Sequence, residues 1–230
     1  GGGHLRGALA VPERQAAIEA TLADAATGGM VLAVGDGNHS LAAAKEIYEQ
    51  AKRKDPEKAK TSPLRYALVE VVCLDSTALD FSPIYRLVTG CDPAELSRRF
   101  GAWVAAQADR PENAACPPLS VRLLSQAGET TVRAAHGAHP LTVGTVERFL
   151  DETREKEALC VDYIHDEASL SELAARTGAL GFCFDGMKKE DLFPAVAAGG
   201  PLPRKTFSMG QARDKRYYTE ARRIRGEETP

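Results

Sequence analysis

The segment that most restricts the fold is Met30–Tyr48, MVLAVGDGNHSLAAAKEIY. Met30–Val34 is an apolar run and reads as a short buried strand. Gly35-Asp36-Gly37-Asn38-His39-Ser40 follows, and then Leu41, Ala44, Ile47, Tyr48 and Ala51 recur at helical spacing. A strand, a tight polar loop and an amphipathic helix in that order aim the first unpaired N–H groups of the helix, and the positive end of its dipole, at whatever lies above the loop. Helix starts of this kind take anions. The loop also brings together a carboxylate, an amide, an imidazole and a hydroxyl. Each has a plainer reading: Asp36-Gly37 as a turn pair, Ser40 as an N-cap, His39 as a structural histidine. The loop is not the dinucleotide fingerprint, because Ser40 stands at the third glycine, and it is not a P-loop, because no Gly-Lys-Ser/Thr follows.

Composition removes several classes. With 230 residues, 43% of them hydrophobic and 27% charged, the chain can bury a sizeable core as one large or two small domains. A net charge of −3 and a pI near 6.0 carry no footprint of a nucleic-acid binder, so nucleic acid is not an expected partner. Five cysteines show no CxxC spacing, which removes the common zinc and redox motifs and suits a reducing cytoplasm. No apolar run approaches the ~20 residues that span a bilayer. The start, Gly1-Gly2-Gly3-His4, lacks an initiator Met.

Along the chain, Pro12 opens a helix with Ile18 and Leu22 on its apolar face. Lys52–Lys60 is a solvated, charged connection. Leu64–Leu74 is almost continuously apolar and reads as a central strand buried on both faces. Pro83–Val88 is a shorter strand, and Arg86 inside it must meet solvent, an acid or a phosphate. Asp92-Pro93 starts a helix with Leu96, Phe100, Trp103 and Val104 inward. Ser120–Ser125 and Thr130–Ala135 read as a hairpin. Further helices are expected at Val143–Leu150 and Ser169–Arg176, and strands at Val161–His165 and Ala179–Phe184. His136 and His139 flank Gly137-Ala138 without a third ligand nearby, which argues against metal. The repeated helix-then-strand order predicts an α/β chain of α+β character, a mixed sheet with helices packed on it. From Arg204 to Arg225 there are eight Lys or Arg against two acids. That end reads either as a solvated helix or as an anion contact through Arg204 and Lys205.

Val-Gly-Asp-Gly-Asn-His-Ser-Leu-Ala around Asp36 closely resembles the D-G-x-H motif of the bacterial "domain of unknown function 1015" family. Three further stretches match that family in order: Phe81-Ser82-Pro83-Ile84-Tyr85-Arg86, Val161-Asp162-Tyr163-Ile164-His165 and Leu202–Gly210 with Pro203-Arg204-Lys205-Thr206 at its centre. The resemblance implies a core similar to the ParB and sulfiredoxin-like fold, which includes an archaeal free serine kinase that uses ADP. Together with the order of the expected helix and hairpin, this divides the chain into 1–90 as the loop-bearing core, 91–140 as an α+β insertion and 141–230 as the C-terminal part of the core with a basic tail. Family members carry a segment ahead of this chain's first residue, so an absent N-terminal portion is expected, with a tag scar as the plain alternative. In the superfamily a G-x-H/R-R-x-x-A loop and helix hold nucleotide phosphates. Gly37-Asn38-His39-Ser40-Leu41-Ala42-Ala43 fits, except that Ser40 replaces the usual arginine and so removes a bidentate phosphate clamp. Tyr85 departs too, where many relatives have histidine.

Two functions follow from the resemblance. One is a nucleotide-dependent phosphotransferase, or its remnant, acting on a small hydroxylated metabolite such as serine. In it Gly37, Asn38, His39 and Ser40 hold phosphate oxygens of ADP or ATP, Asp36 holds Mg²⁺ or accepts the hydroxyl proton, and Arg86, Arg204 and Lys205 neutralise charge. An acid upstream of the loop is also implied, with Glu13, Glu19 and Asp24 as candidates. The other is a non-catalytic nucleotide-binding or interaction module, which the loss of arginine at Ser40 favours. A version that contacts nucleic acid would use the basic tail.

Overall fold

The computed structural model describes residues 4, 6–25 and 29–210. The basic stretch beyond Gly210 lies outside the described residues. The chain divides into two compact units, the first ending at Ser76 and the second beginning at Thr77.

The first unit is helical. α1 is Pro12–Ala25, α2 is Asn38–Lys54 and α3 is Pro56–Thr61, followed by a short 3₁₀ turn at Pro63–Arg65. The helices start where local chemistry dictates: Pro12 and Pro56 occupy first-turn positions, and the Asp55 side chain caps the Lys58 amide. Leu41, Ala44, Tyr48 and Ala51 form the half-buried stripe of α2, which packs against α3 and the 3₁₀ turn. Neither α1 nor α2 buries a residue fully. The two strands expected here, Met30–Val34 and Leu64–Leu74, do not form ladders among the described residues. Leu32 is 59% exposed and Val69 62% exposed. Apolar β-branched runs favour an extended backbone, but a strand needs a partner, and none of the described residues provides one.

The second unit is a five-stranded sheet with helices on both faces. Its elements are β1 (Phe81–Pro83), β2 (Tyr85–Thr89), α4 (Pro93–Ala108), β3 (Leu119–Ser125), β4 (Gly128–Ala134), α5 (Thr142–Arg154), β5 (Cys160–Ile164), α6 (Glu167–Ala174), β6 (Ala179–Cys183), α7 (Leu192–Gly199) and β7 (Phe207–Met209). The strand order is β4-β3-β6-β2-β5, and β1 and β7 form a separate two-stranded ribbon. The mixed sheet expected from the sequence is, among these strands, antiparallel at every pairing. The α+β class with helices packed on a sheet is as expected. The segment read as an insertion supplies α4, β3 and β4 to this sheet, since Leu123 of β3 pairs with Phe182 of β6.

Alternation along each strand sorts the core into two layers. Val88, Val121, Leu123, Leu180 and Phe182 face α4 and α5, where they meet Leu96, Phe100, Val104, Val146, Phe149 and Leu150. Phe100 packs edge-on against Phe149 and Phe182, with ring centroids 5.1 and 5.2 Å away. Tyr85, Leu87, Leu124, Ala179 and Cys183 face the other way, onto Leu170 and Ala174 of α6. Each large side chain fully buried here contributes roughly 1.5–3 kcal/mol. Asp92 caps α4 by accepting from the amides of Ala94 and Glu95, and Asp166 caps α6 through Ser169.

Candidate functional site

The expected site residues fall into two groups, one in each unit. The first is the loop before α2. Gly37 is its N-cap, with φ 75° and ψ 17°. That left-handed conformation suits glycine, because a Cβ would strain the backbone. No side chain caps this helix start, whereas α3, α4 and α6 each have an aspartate cap. Leu41 N–H is the first amide to reach back, donating to the Gly37 carbonyl at 2.9 Å. The amides of Asn38, His39 and Ser40 therefore head a 17-residue helix without a side-chain cap. Asp36 turns onto the loop itself, and its Oδ1 accepts from the Gly37 amide at 2.7 Å. Asn38, His39 and Ser40 are all exposed. His39 is thus not a buried core histidine.

The second group brings three separated motifs together. β1 and β7 pair through Phe81↔Met209, Ser82↔Ser208 and Pro83↔Phe207, and the rings of Phe81 and Phe207 stack at 4.0 Å. Arg86 sits on β2 beside this ribbon and is 0% exposed. Its Nε donates to the Glu147 carboxylate and its Nη1 to the Ile84 carbonyl. Its Nη2 donates to the carbonyls of Arg204 at 2.9 Å and Lys205 at 3.1 Å. The ring of Tyr163, directly opposite Arg86 in the β2–β5 ladder, has its centroid 4.7 Å from the guanidinium carbon. The guanidinium is thus occupied by protein groups and turned inward. The expected direct contact between Arg86 and a phosphate has no donor pointing to solvent to make it.

Arg204 and Lys205 are exposed, and neither side chain forms an ion pair among the described residues. Lys205 has φ 54°, a positive φ found at no other described non-glycine residue. A left-handed non-glycine residue costs of order 1–3 kcal/mol and persists only where its surroundings hold it. The Thr206 hydroxyl closes the turn by donating to the Pro203 carbonyl at 2.6 Å.

Glu147 is the residue that sequence reasoning missed. Its signal was present: it stands four positions after Val143 in the inward stripe of an amphipathic helix, where an acid needs a buried cation. His136 and His139, weighed as ligands, are structural. His136 Nδ1 donates to the Cys116 carbonyl at 2.9 Å. His139 Nδ1 accepts from the Leu141 amide at 2.9 Å, and burial followed by nearby Arg148 lowers its pKa. Among the described residues no cluster of metal-ligating side chains occurs. An open groove of about 480 Å³ lies on the α6 side of the sheet, lined by Leu87, Asp162, Leu173 and Arg176. None of the expected site residues lines it.

No helix among the described residues is long and apolar enough to cross a membrane. No curated protein matches the chain. A conserved hypothetical protein from Pyrococcus furiosus superposes on 62% of this chain and 61% of its own, with 14% identity and a TM-score of 0.44. A mutant free serine kinase in complex with ADP covers 62% of this chain and 58% of its own, with 17% identity and a TM-score of 0.43. The chain therefore spans about three-fifths of the length of each of these structures. The profile of the family described as a protein of unknown function, DUF1015, matches residues 5–219, and the chain belongs to that family.

Proposed function

We propose that the chain binds nucleotide phosphates at the start of α2 and transfers a phosphoryl group to a small hydroxylated metabolite such as serine. The observation that carries this reading is the helix start itself. A left-handed Gly37 without a side-chain cap leaves the amides of Asn38, His39 and Ser40 to meet an anion at the positive end of a long helix. The side chains of Asn38, His39 and Ser40 add hydrogen-bonding groups around the same point. Phosphoryl transfer asks the protein for positioning and charge neutralisation above all. Arg204 and Lys205, on their own exposed turn, are the cations assigned to phosphate. Mg²⁺ carried by ADP or ATP fits Asp36, an exposed carboxylate beside these amides, because Mg²⁺ takes one or two carboxylates with phosphate oxygens and water, and it would offset phosphate charge there.

A binding module without turnover is the second reading. The observation that favours it is the Asp36 carboxylate, which accepts from Gly37 at 2.7 Å and so acts first as a loop brace. Calorimetric titration of the full chain with ADP and ATP, with and without Mg²⁺, tests the shared premise. Binding of neither nucleotide overturns both readings. Binding with label transfer from nucleotide to serine or a similar hydroxylated acceptor supports the phosphotransferase, and binding without transfer supports the module.

A further inference from the structure

We infer that Arg86 is a positioning residue, which grips the backbone of Arg204 and Lys205 from inside the core and holds these two cations in the turn that presents them to an anion. The anion half of this inference rests on the assignment of Arg204 and Lys205 to phosphate; the clamp itself rests on geometry alone.

The two carbonyls that Arg86 Nη2 engages, at 2.9 and 3.1 Å, belong to the peptide groups on either side of the Lys205 Cα. Fixing both peptide planes fixes φ and ψ of the residue between them. That residue is Lys205, whose φ of 54° would otherwise relax. The clamp is itself held. Glu147 on α5 takes Nε, the Ile84 carbonyl takes Nη1, and the Tyr163 ring lies against the guanidinium. A buried guanidinium is tolerated only when paired and hydrogen-bonded in this way. The planar fork matters as well, because a single ammonium cannot span a carboxylate and two successive carbonyls at once. Exposed Arg204 and Lys205 thus gain a fixed backbone, which lowers the ordering cost of meeting a charged ligand.

Native-state trypsin cleavage reads the clamp directly, since the enzyme cuts after Arg204 and Lys205. Lys156, exposed at the end of α5 in the same unit, serves as the internal reference. Arg86→Lys keeps the charge and loses the fork. It should raise cleavage at 204–205 relative to Lys156 by about tenfold, the scale set by releasing one strained residue. Glu147→Gln keeps an acceptor for Nε and should give a smaller rise. An unchanged ratio, including a uniform rise at all sites through lower global stability, overturns the inference. A second arm adds inorganic pyrophosphate. Protection of the wild-type turn, lost in Arg86→Lys together with the raised ratio, is the expected result. If pyrophosphate protects nothing while the ratio still rises, the clamp stands and the phosphate assignment of the turn fails. If the ratio is unchanged but protection is lost, Arg86 touches the anion itself and the positioning role is refuted.

Discussion

At the scale of single residues, burial separates the charged groups by job. His39 is exposed at the uncapped helix start, so its removal should be felt by a ligand and not by the fold. His39→Ala is expected to weaken ADP or ATP binding by about 1.5–3 kcal/mol, the scale of a hydrogen bond to a charged group. His39→Gln should recover part of that by keeping a donor, and neither variant should move the melting temperature. Parallel titrations and melts check this; equal loss of stability with unchanged affinity would remove His39 from the site. Arg86 is the opposite case. Arg86→Met leaves the Glu147 carboxylate, 11% exposed, without its partner, and should cost about 3–5 kcal/mol of stability in denaturant titration. Adding Glu147→Leu to that variant should restore much of the loss, because a buried ion pair is far more costly to break than to replace. Tyr85 faces α6, where burial first, then the neighbouring Cys183 and Glu167, push its hydroxyl up to about 12. The folded chain thus holds this proton more tightly than the unfolded chain, whose tyrosines ionise near ~10. The resulting stability is complete below about pH 10 and is lost as pH rises towards 12. Tyr85→Phe should therefore lose less stability than wild type across that window, as read by denaturant midpoints at successive pH values.

At the scale of elements, close approach on one face of the sheet decides how α6 docks. A Cβ placed on Gly181 would lie 3.1 Å from the Leu170 side chain and 3.2 Å from the Ala174 Cβ. The glycine is what lets α6 lie down on β6. Gly181→Val should overpack this seam and cost about 1–3 kcal/mol. Leu170→Ala alone should also destabilise, by opening a cavity, yet the two changes together should cost less than their sum, since one makes room for the other. Additive losses in chemical denaturation would mean that α6 is not held by this contact. The α2 start belongs to the same scale. Its glycine cap was legible in Gly35-Asp36-Gly37, but the absence of a side-chain cap was not, because Asp36 and Ser40 both had the chemistry to provide one.

At the scale of the whole molecule, apolar exposure divides sharply between the units. In the second unit, residues 77–210, no large apolar side chain is exposed, whereas Leu68, Val69, Val71 and Val72 of the first are 49–62% exposed. Few buried contacts mean low local stability. Limited chymotrypsin digestion should therefore cut first after Tyr66 and Leu68 and leave a resistant fragment beginning close to Thr77. Mass analysis that finds first cuts inside the five-stranded sheet would contradict this division of stability.

Features that depend on neighbours within a turn or two were determined by the sequence alone. Asp92-Pro93 as a helix start, the hairpin across Gly128, the inward face of α4 and the loop-to-helix passage at Gly37 all follow from caps, periodicity and backbone preference, and these act locally. Tertiary structure decided which partner each segment met. Met30–Val34 and Leu64–Leu74 have the composition of buried strands, but composition specifies an extended, apolar backbone and says nothing about who completes its hydrogen bonds. Arg86 could be read from its apolar surroundings only as needing an acid, a phosphate or water. The choice fell to Glu147 and to two carbonyls more than a hundred positions along the chain, because a charge taken out of water is held by whichever groups the fold delivers to it, and that delivery is a property of the packed sheet and not of any short stretch of sequence.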